Sequence, residues 1–553
     1  MGISRRTLLG SAVAGAAAIA ATSVTELARA GTAPAASPAG DVVGKITVGY
    51  QGWFACAGDG APINGWWHWS QNWSQPPSPT NNGTLRAWPD MREYTRGYQT
   101  AYANLGNGQP ATLFSSYDQQ TVDTHFLWMQ QNSIDTAALQ RFNPTGGEGP
   151  TRDAMAGKVR SAAESHGRRF YIMYDVTGWN TMQSDIKVDW TNKMSAHTAS
   201  PAYARQNGNP VVCIWGFGFN DGNHPWDPAS CLDVVNWFKG QGCYVIGGVP
   251  REWRTGVGGS RSGYLGVYHA FNAISPWMVG AIGTVADADW AYQNLTLPDL
   301  ADCAANGIDY LPCVLPGDVS ARQRVHGDFM WRQFYNMVRA GVQGIYISMY
   351  DEFNEGNQIL KTAESPAWIP TDAGLLGLDE DGTACSSDYY LRLTGDGGRM
   401  LKGQIALTPV RPTQPILGGG GPTTVVSFRA HANGMYVCAE SNGSLPLIAN
   451  RTAIGTWETF DMLDAGNGNI ALRSHTNNMI VTAEQAGTQP LIANRTAVQL
   501  WETFQLVHNP DGSVSLRALV NNRYVCAEQA GAQPLIANRT AIGGWEEFDL
   551  ITH

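Results

Sequence analysis

Charge is scarce in this sequence. Asp, Glu, Lys and Arg make up 15% of its 553 residues, against a typical ~25%, and the 36 Lys and Arg are outnumbered by 46 Asp and Glu, for a net charge of −10. Nothing basic enough to hold a phosphate backbone or an anionic membrane is present, so no nucleic-acid or membrane partner is expected. Beyond the N-terminal thirty residues no stretch approaches the ~18 uninterrupted apolar residues that a bilayer span requires. CxxC and HExxH are absent, so no metal is expected; GxSxG and GxxxxGK[ST] are absent too, so neither a serine-hydrolase elbow nor a P-loop is expected, nor any cofactor. What remains is a chain that is 43% hydrophobic and rich in Gly (63) and Trp (20). Its surface must be built from uncharged polar groups, Gly and aromatic rings, a composition suited to neutral, hydroxyl-rich ligands such as carbohydrate. At ~150 residues per domain, two to four domains are expected.

The N-terminus reads as an export signal over residues 1–30. Ser4-Arg5-Arg6-Thr7-Leu8-Leu9 precedes an Ala-rich apolar run, and Ala28-Arg29-Ala30 is a small-x-small cleavage pattern. The paired arginines resemble the bacterial twin-arginine signal, so a secreted, extracellular protein is expected. Nine cysteines in an oxidising compartment allow disulfides. Cys231 with Cys243 and Cys303 with Cys313 are near enough in sequence to pair locally, with buried free thiols as the alternative.

Residues 425–553 repeat with a period of 44. Tyr436-Val437-Cys438-Ala439-Glu440, Ile480-Val481-Thr482-Ala483-Glu484 and Tyr524-Val525-Cys526-Ala527-Glu528 are each followed by Pro-Leu-Ile-Ala-Asn-Arg-Thr-Ala and a Trp-Glu-x-Phe. Short alternating strands between Gly and Asn turns predict an all-β unit, and three of them closing on one another predict a β-trefoil. A sugar pocket in each repeat would use Glu440, Glu484 and Glu528 as hydroxyl acceptors. Trp457, Trp501 and Trp545 would be stacking platforms or core plugs, with Asn450, Asn494, Asn538 and the adjacent Arg451, Arg495 and Arg539 assisting. Three weak sites on one module favour a repeating polymer. The pattern resembles fascin-like and sugar-binding β-trefoil modules. A Pro- and Gly-rich linker over 404–424 precedes it.

Residues 45–403 alternate β-rich runs with helical stretches. The runs are Ile46–Phe54, Thr112–Tyr117, Ala138–Phe142, Phe170–Asp175, Val211–Trp215, Tyr244–Val249, Tyr310–Leu315 and Gly344–Tyr350. Eight such units predict a (β/α)8 TIM barrel, with a doubly wound open sheet as the alternative, and a barrel places its chemistry at the C-terminal strand ends. Those ends offer Trp53, Arg141, Asp175, Trp179, Trp215 and Asp318 as substrate-binding candidates. The last strand leaves the core into Asp351-Glu352-Phe353-Asn354-Glu355-Gly356. Three carboxyl groups in five residues split their pKa values by mutual repulsion, as an acid/base pair for glycoside cleavage requires. Glu352 and Glu355 are the expected catalytic pair and Asp351 a binding residue.

Asp351-Glu352-Phe353-Asn354-Glu355-Gly356-Asn357-Gln358-Ile359 resembles the strand-eight motif Asn-Glu-Trp-His-Glu-Gly-Thr-Gln-Ile of the endo-α-mannosidases of glycoside hydrolase family 99, which are (β/α)8 barrels. Asp351 stands for Asn, and Phe353-Asn354 for Trp-His. The resemblance implies that Glu352 deprotonates the substrate 2-hydroxyl, that Glu355 is the general acid/base, and that configuration is retained through an anhydrosugar. A conventional two-carboxylate mechanism with Asp175 or Asp318 is the alternative. The expected protein is a monomeric, secreted glycoside hydrolase acting on a polysaccharide or oligosaccharide. A non-catalytic lectin-like protein and a fascin-like protein cross-linker are the other readings.

Overall fold

The computed structural model describes residues 37–415, 424–466, 469–477, 479–495 and 498–553. The expected export signal and the linker's 416–423 lie outside them. The chain divides between Thr413 and Gln414 into two compact units. Among the described residues no helix is long and apolar enough to cross a membrane.

The first unit is built on a curled parallel sheet. Its strands are β1 (Ile46–Tyr50), β2 (Thr136–Arg141), β3 (Arg169–Asp175), β4 (Asn209–Trp215), β5 (Tyr244–Val249), β6 (Ala273–Pro276), β7 (Asp309–Tyr310 and Cys313–Val314) and β8 (Ile345–Ile347). The two pieces of β7 flank Leu311-Pro312, where proline has no N–H to give a ladder. The first piece pairs with β6 and the second with β8. Since β8 pairs with β1 through Ile46–Ile345, and β1 pairs in turn with β2, each strand has two parallel neighbours. That closure fits a TIM-like barrel and rules out the doubly wound open sheet. Strand β1 is buried throughout, as expected of a parallel strand covered on both faces.

Two strand assignments change. Thr112–Leu113 pairs antiparallel with Tyr98–Gln99 outside the barrel, and the position is filled by Ala273-Ile274-Ser275-Pro276, whose small residue and proline disguise a strand. Helices pack around the sheet, among them α1 (Gln119–Gln131), α2 (Gly149–His166), α3 (Met182–Asp189) and α4 (Pro228–Gly240). Their ends follow local chemistry. Asp227 accepts the Ala229 and Ser230 N–H groups ahead of α4, with Pro228 in its first turn, and Gly167 closes α2 at φ 61°. On the barrel axis Tyr171, Met173, Cys213, Trp215, Trp277 and Tyr346 surround a small apolar cavity. All nine cysteines are buried free thiols. The expected Cys231–Cys243 and Cys303–Cys313 pairs are therefore absent, and burial pushes the thiols of all four well above the usual range.

The second unit is antiparallel and all-β, with twelve strands among the described residues in three equivalent groups of four. The fourth strand of each group pairs with the first of the next: Phe460 opposite Ser474, Phe504 opposite Ala518, and Phe548 opposite Ala430. Its core repeats accordingly, with Phe460, Phe504, Phe548, Leu447, Leu491 and Leu535 all buried.

Candidate active site

The acid-bearing segment is a closed excursion at the end of β8. The Met349 N–H donates to the Asn357 carbonyl (3.1 Å), and those of Ile359 and Leu360 donate back to Met349 (3.0 Å) and Tyr350 (2.9 Å). Within it Phe353 is fully buried, its ring 6.1 Å from each of Phe54, Trp69 and Phe114, so an apolar side chain anchors a loop of carboxylates. The Asn354 amide donates to the His68 (2.9 Å) and Gly83 carbonyls. Gly356 turns the chain at φ 69°, and the buried Arg324 guanidinium donates to the carbonyls of Gly356 (2.9 Å) and Gln358 (2.7 Å).

Three carboxyl groups are held there out of bulk water: Asp351, Glu352 and Glu355 are 0%, 1% and 3% exposed. Asp351 accepts the N–H groups of Gln51 (2.7 Å) and Gly52 (2.8 Å), and Glu352 Oε2 accepts Gln51 Nε2 (2.5 Å). The ends of β1 and β8 are thereby cross-linked through the acids themselves. Burial pushes the Asp351 carboxyl up to about 6, against the opposing pull of the two N–H groups and Arg152. Asp318 stands against the same loop. It is fully buried, accepts the Ser320 N–H and Oγ (2.8 Å each), and its Oδ1 would lie 2.3 Å from a Cβ placed on Gly356.

An aromatic ledge adjoins the acids. Half-buried Trp53 stacks on His68 (3.8 Å between centroids, 13° between planes) and on Phe142 (5.4 Å, 20°). Burial and the nearby Arg152 cation hold the His68 imidazole neutral, down at about 3. Trp67 Nε1 donates to Glu148 (3.3 Å), whose carboxyl is pushed upward by burial. Arg152 donates to the Gln51 (2.6 Å), Gly52 (2.9 Å) and Gln140 carbonyls. Gln51, His68, Glu148 and Arg152 were assigned no role from sequence. Trp53 was the one ledge residue singled out in the sequence, while Glu148 and Arg152 look like ordinary helix-start residues.

Four candidates have partners or packing of their own. Arg141 is 2% exposed and is gripped by Asp189 of α3 (2.6 and 2.5 Å) and by Asp153 of α2 (2.6 Å), so it ties β2 to the helical layer. Trp179 is fully buried packing, its indole N–H on Asp185 (3.3 Å). Trp215 is an interior wall of the barrel, 4.6 Å from Phe219 and 5.4 Å from Trp277. Asp175 accepts the Thr177 N–H (3.0 Å) and Oγ1 (2.6 Å), and Thr177 in turn reaches His224 (3.1 Å).

In the second unit each repeat forms the same cluster. Glu440, Glu484 and Glu528 are ion-paired with Arg451 (2.9 Å), Arg495 (2.9 Å) and Arg539 (2.7 Å), and accept from the amides of Asn450 (3.0 Å), Asn494 (3.2 Å) and Asn538 (3.0 Å). These contacts hold the three carboxyls below the usual range. The carboxylates proposed as sugar acceptors thus have an intramolecular partner. Trp501 and Trp545 are exposed and Trp457 half-buried, so none of them plugs the core: the core residue of Trp-Glu-x-Phe is the Phe. Among the described residues one trio, His431, Asp511 and Glu547, brings potential metal-ligand atoms within 4.8 Å of one another; it lies in this unit, outside the carboxylate loop.

The chain is similar in fold to the GH99 endo-alpha-mannosidase from Bacteroides thetaiotaomicron, at 13% identity and a TM-score of 0.46, over 66% of this chain and 98% of that one. It is similar over 23% of its length to 97% of a designed threefold-symmetric protein, ThreeFoil (18% identity, TM-score 0.22), and over 24% to 50% of the Polyporus squamosus lectin (9%, 0.22). No protein-family model matches the chain, and a search of curated proteins finds no match.

Proposed function

We propose that this protein is a secreted glycoside hydrolase that cleaves a neutral polysaccharide with Glu352 and Glu355, and that its C-terminal unit is a β-trefoil that holds the polymer. The observation that carries the reading is the buried, doubly pinned acid loop at the end of β8 with Gln51 Nε2 on Glu352. A donor on a carboxylate favours its ionised form, which suits Glu352 to accept a proton. Three buried carboxyls within five residues disfavour ionising together, and Glu355 is assigned the proton-donor role. In this reading Glu352 takes the proton of the substrate 2-hydroxyl, O2 closes on the anomeric carbon, and Glu355 protonates the departing glycosidic oxygen. Glu355 then deprotonates a water that opens the anhydro ring, and Glu352 returns its proton to O2, giving net retention. The stacked rings of Trp53, His68 and Phe142, with the imidazole neutral and Glu148 shifted upward, give the mouth an uncharged aromatic border that suits an uncharged sugar. Export by the twin-arginine route would deliver the enzyme to extracellular polymer.

The test is digestion of a panel of glucans and mannans, with product sizing and anomeric NMR, by the unmodified protein and by Glu355→Gln. Cleavage with retention is expected, abolished by the substitution while polymer binding survives. Release of no reducing ends from any glycan by the unmodified protein would leave only an exported glycan-binding protein.

A further inference from the structure

The excursion between β1 and α1 carries a second feature. From Ala61 to Leu85, 25 residues pass without an Asp, Glu, Lys or Arg, and four of them are Trp. Part of this stretch walls an open groove of about 450 Å³ lined chiefly by Gln71, Asn72, Gln75, Ser78, Thr80 and Asn81. The groove is built around one side chain. Asn81 accepts the Asn72 N–H (2.8 Å) and donates to the carbonyls of Asn72 (3.1 Å), Gln75 (3.2 Å) and Pro76 (3.2 Å), while Ser78 Oγ accepts the Asn81 N–H (3.1 Å). The walls are thus fixed by Asn81, whereas the exposed amides of Gln71 and Gln75 make no side-chain hydrogen bond among the described residues.

Beside these residues in the chain stands Trp73, 43% exposed. Its carbonyl accepts the Trp66 N–H (2.7 Å), and its ring lies so close over Gly65 that a Cβ there would come within 2.5 Å. The indole is therefore pinned on one side and open on the other. Trp67 meets it edge-on at 5.9 Å and bonds to Glu148, so an aromatic path leads from Trp73 to the ledge beside Glu352.

We propose that this groove, together with exposed Trp73 between its Asn72 and Gln75 walls in the chain, is a second glycan-binding site of the barrel unit, taking a neutral polysaccharide chain outside the catalytic mouth. It rests on the reading of the protein as glycan-active. Uncharged amides on walls that Asn81 fixes, with hydroxyls beside them, match sugar hydroxyls, and an open indole face matches the apolar face of a pyranose. Held at both sites, a chain gains from effective concentration, so the groove serves polymers and is idle with short substrates.

The experiment uses the full chain with Trp457, Trp501 and Trp545 changed to Ala and Glu355→Gln, to silence trefoil platforms and turnover. Retention on insoluble α-glucan and on mannan is measured with and without Trp73→Ala, and separately with Gln71→Ala/Gln75→Ala, whose exposed side chains support no fold contact. Each is expected to lower retention about fivefold, the size of one stacking or paired-amide contact. In the otherwise unmodified enzyme the same changes should slow polymer cleavage about as much and leave short-oligosaccharide cleavage unchanged. Undiminished retention, or no retention by the parent, overturns the groove; so does an equal fall on polymer and oligosaccharide, which would make these residues part of the mouth. An enzyme inactive on every glycan whose retention still falls with Trp73→Ala overturns the hydrolase reading and leaves the groove standing.

Discussion

Changing Gly356 to Ala tests whether the acid loop is as rigid as its contacts imply. Gly356 sits at φ 69°, and an added methyl would stand 2.3 Å from Asp318 Oδ1 and 3.3 Å from the Arg86 Cβ. Neither side can retreat. Asp318 is buried and held by the Ser320 N–H and hydroxyl, while the Gly356 carbonyl is fixed by Arg324 (2.9 Å) and the Val319 N–H (3.2 Å). The left-handed backbone costs Ala about 1–2 kcal/mol, and overpacking against a fixed carboxylate adds about 1–3 kcal/mol. A matched control exists at Gly167, which has φ 61° and no heavy atom within 4 Å of the built Cβ, so Gly167→Ala incurs only the first penalty. Denaturant unfolding should therefore show a loss of roughly 2–5 kcal/mol for Gly356→Ala against about 1–2 kcal/mol for Gly167→Ala. Turnover should part them further. Glu355 precedes the strained residue, and a displacement near 1 Å costs on the order of a hundredfold in rate, whereas Gly167→Ala should turn over normally. Equal destabilisation by the two changes, or full activity in Gly356→Ala, would refute the idea that Asp318 and Gly356 set the position of Glu355.

Asp351→Asn reads out desolvation. With the folded carboxyl at about 6 against an ordinary 3.8, the native state holds the proton more tightly, so stability from this group is present below about pH 4 and lost as pH rises through 6. The wild type should lose about 2 kcal/mol relative to Asp351→Asn between pH 4 and pH 7 in parallel denaturant titrations; a constant gap would contradict it. Arg141→Met strands the buried Asp189 of α3 against the sheet and should cost about 3–5 kcal/mol, with Asp189→Leu in the same chain restoring part of it; a loss below ~1 kcal/mol would mean the pair is not desolvated. Glu440→Gln breaks an ion pair that is 23% exposed on the Glu side and 34% on the Arg side. It should shift unfolding by under ~1 kcal/mol, and its effect on retention by insoluble polysaccharide therefore reports binding, not folding.

Much of the barrel was legible because parallel strands covered on both sides are continuous apolar runs, as in Phe170–Asp175 and Tyr244–Val249. Strand β6 escaped because Ala273-Ile274-Ser275-Pro276 is short and ends in proline, and Thr112–Leu113 replaced it because β-propensity does not say which sheet a strand joins. The acids of the site were legible for a related reason: Asp351, Glu352 and Glu355 follow a buried strand, where charge is expensive unless it has a task. Their partners were not, since Gln51 and Glu352 are 301 residues apart and meet only when β8 closes on β1. Arg141 misled because a residue at a strand end can face the helices as readily as the mouth, and only the positions of Asp153 and Asp189 decide between them.

The repeats expose a different limit. Threefold recurrence marks whatever a symmetric fold needs three times, whether to pack or to bind, so Glu440, Trp457 and Phe460 recur with equal fidelity and different roles. Burial separates the Phe as core from the Trp as surface. Exposed ion pairs contribute about 0–1 kcal/mol, too little for Glu440, Glu484 and Glu528 to be explained as struts. In the first repeat the pair also holds the Arg451 guanidinium over the Trp457 ring, 5.7 Å from its centroid. Under the proposed function, the glutamates then position Arg451, Arg495 and Arg539 as donors to a sugar ligand.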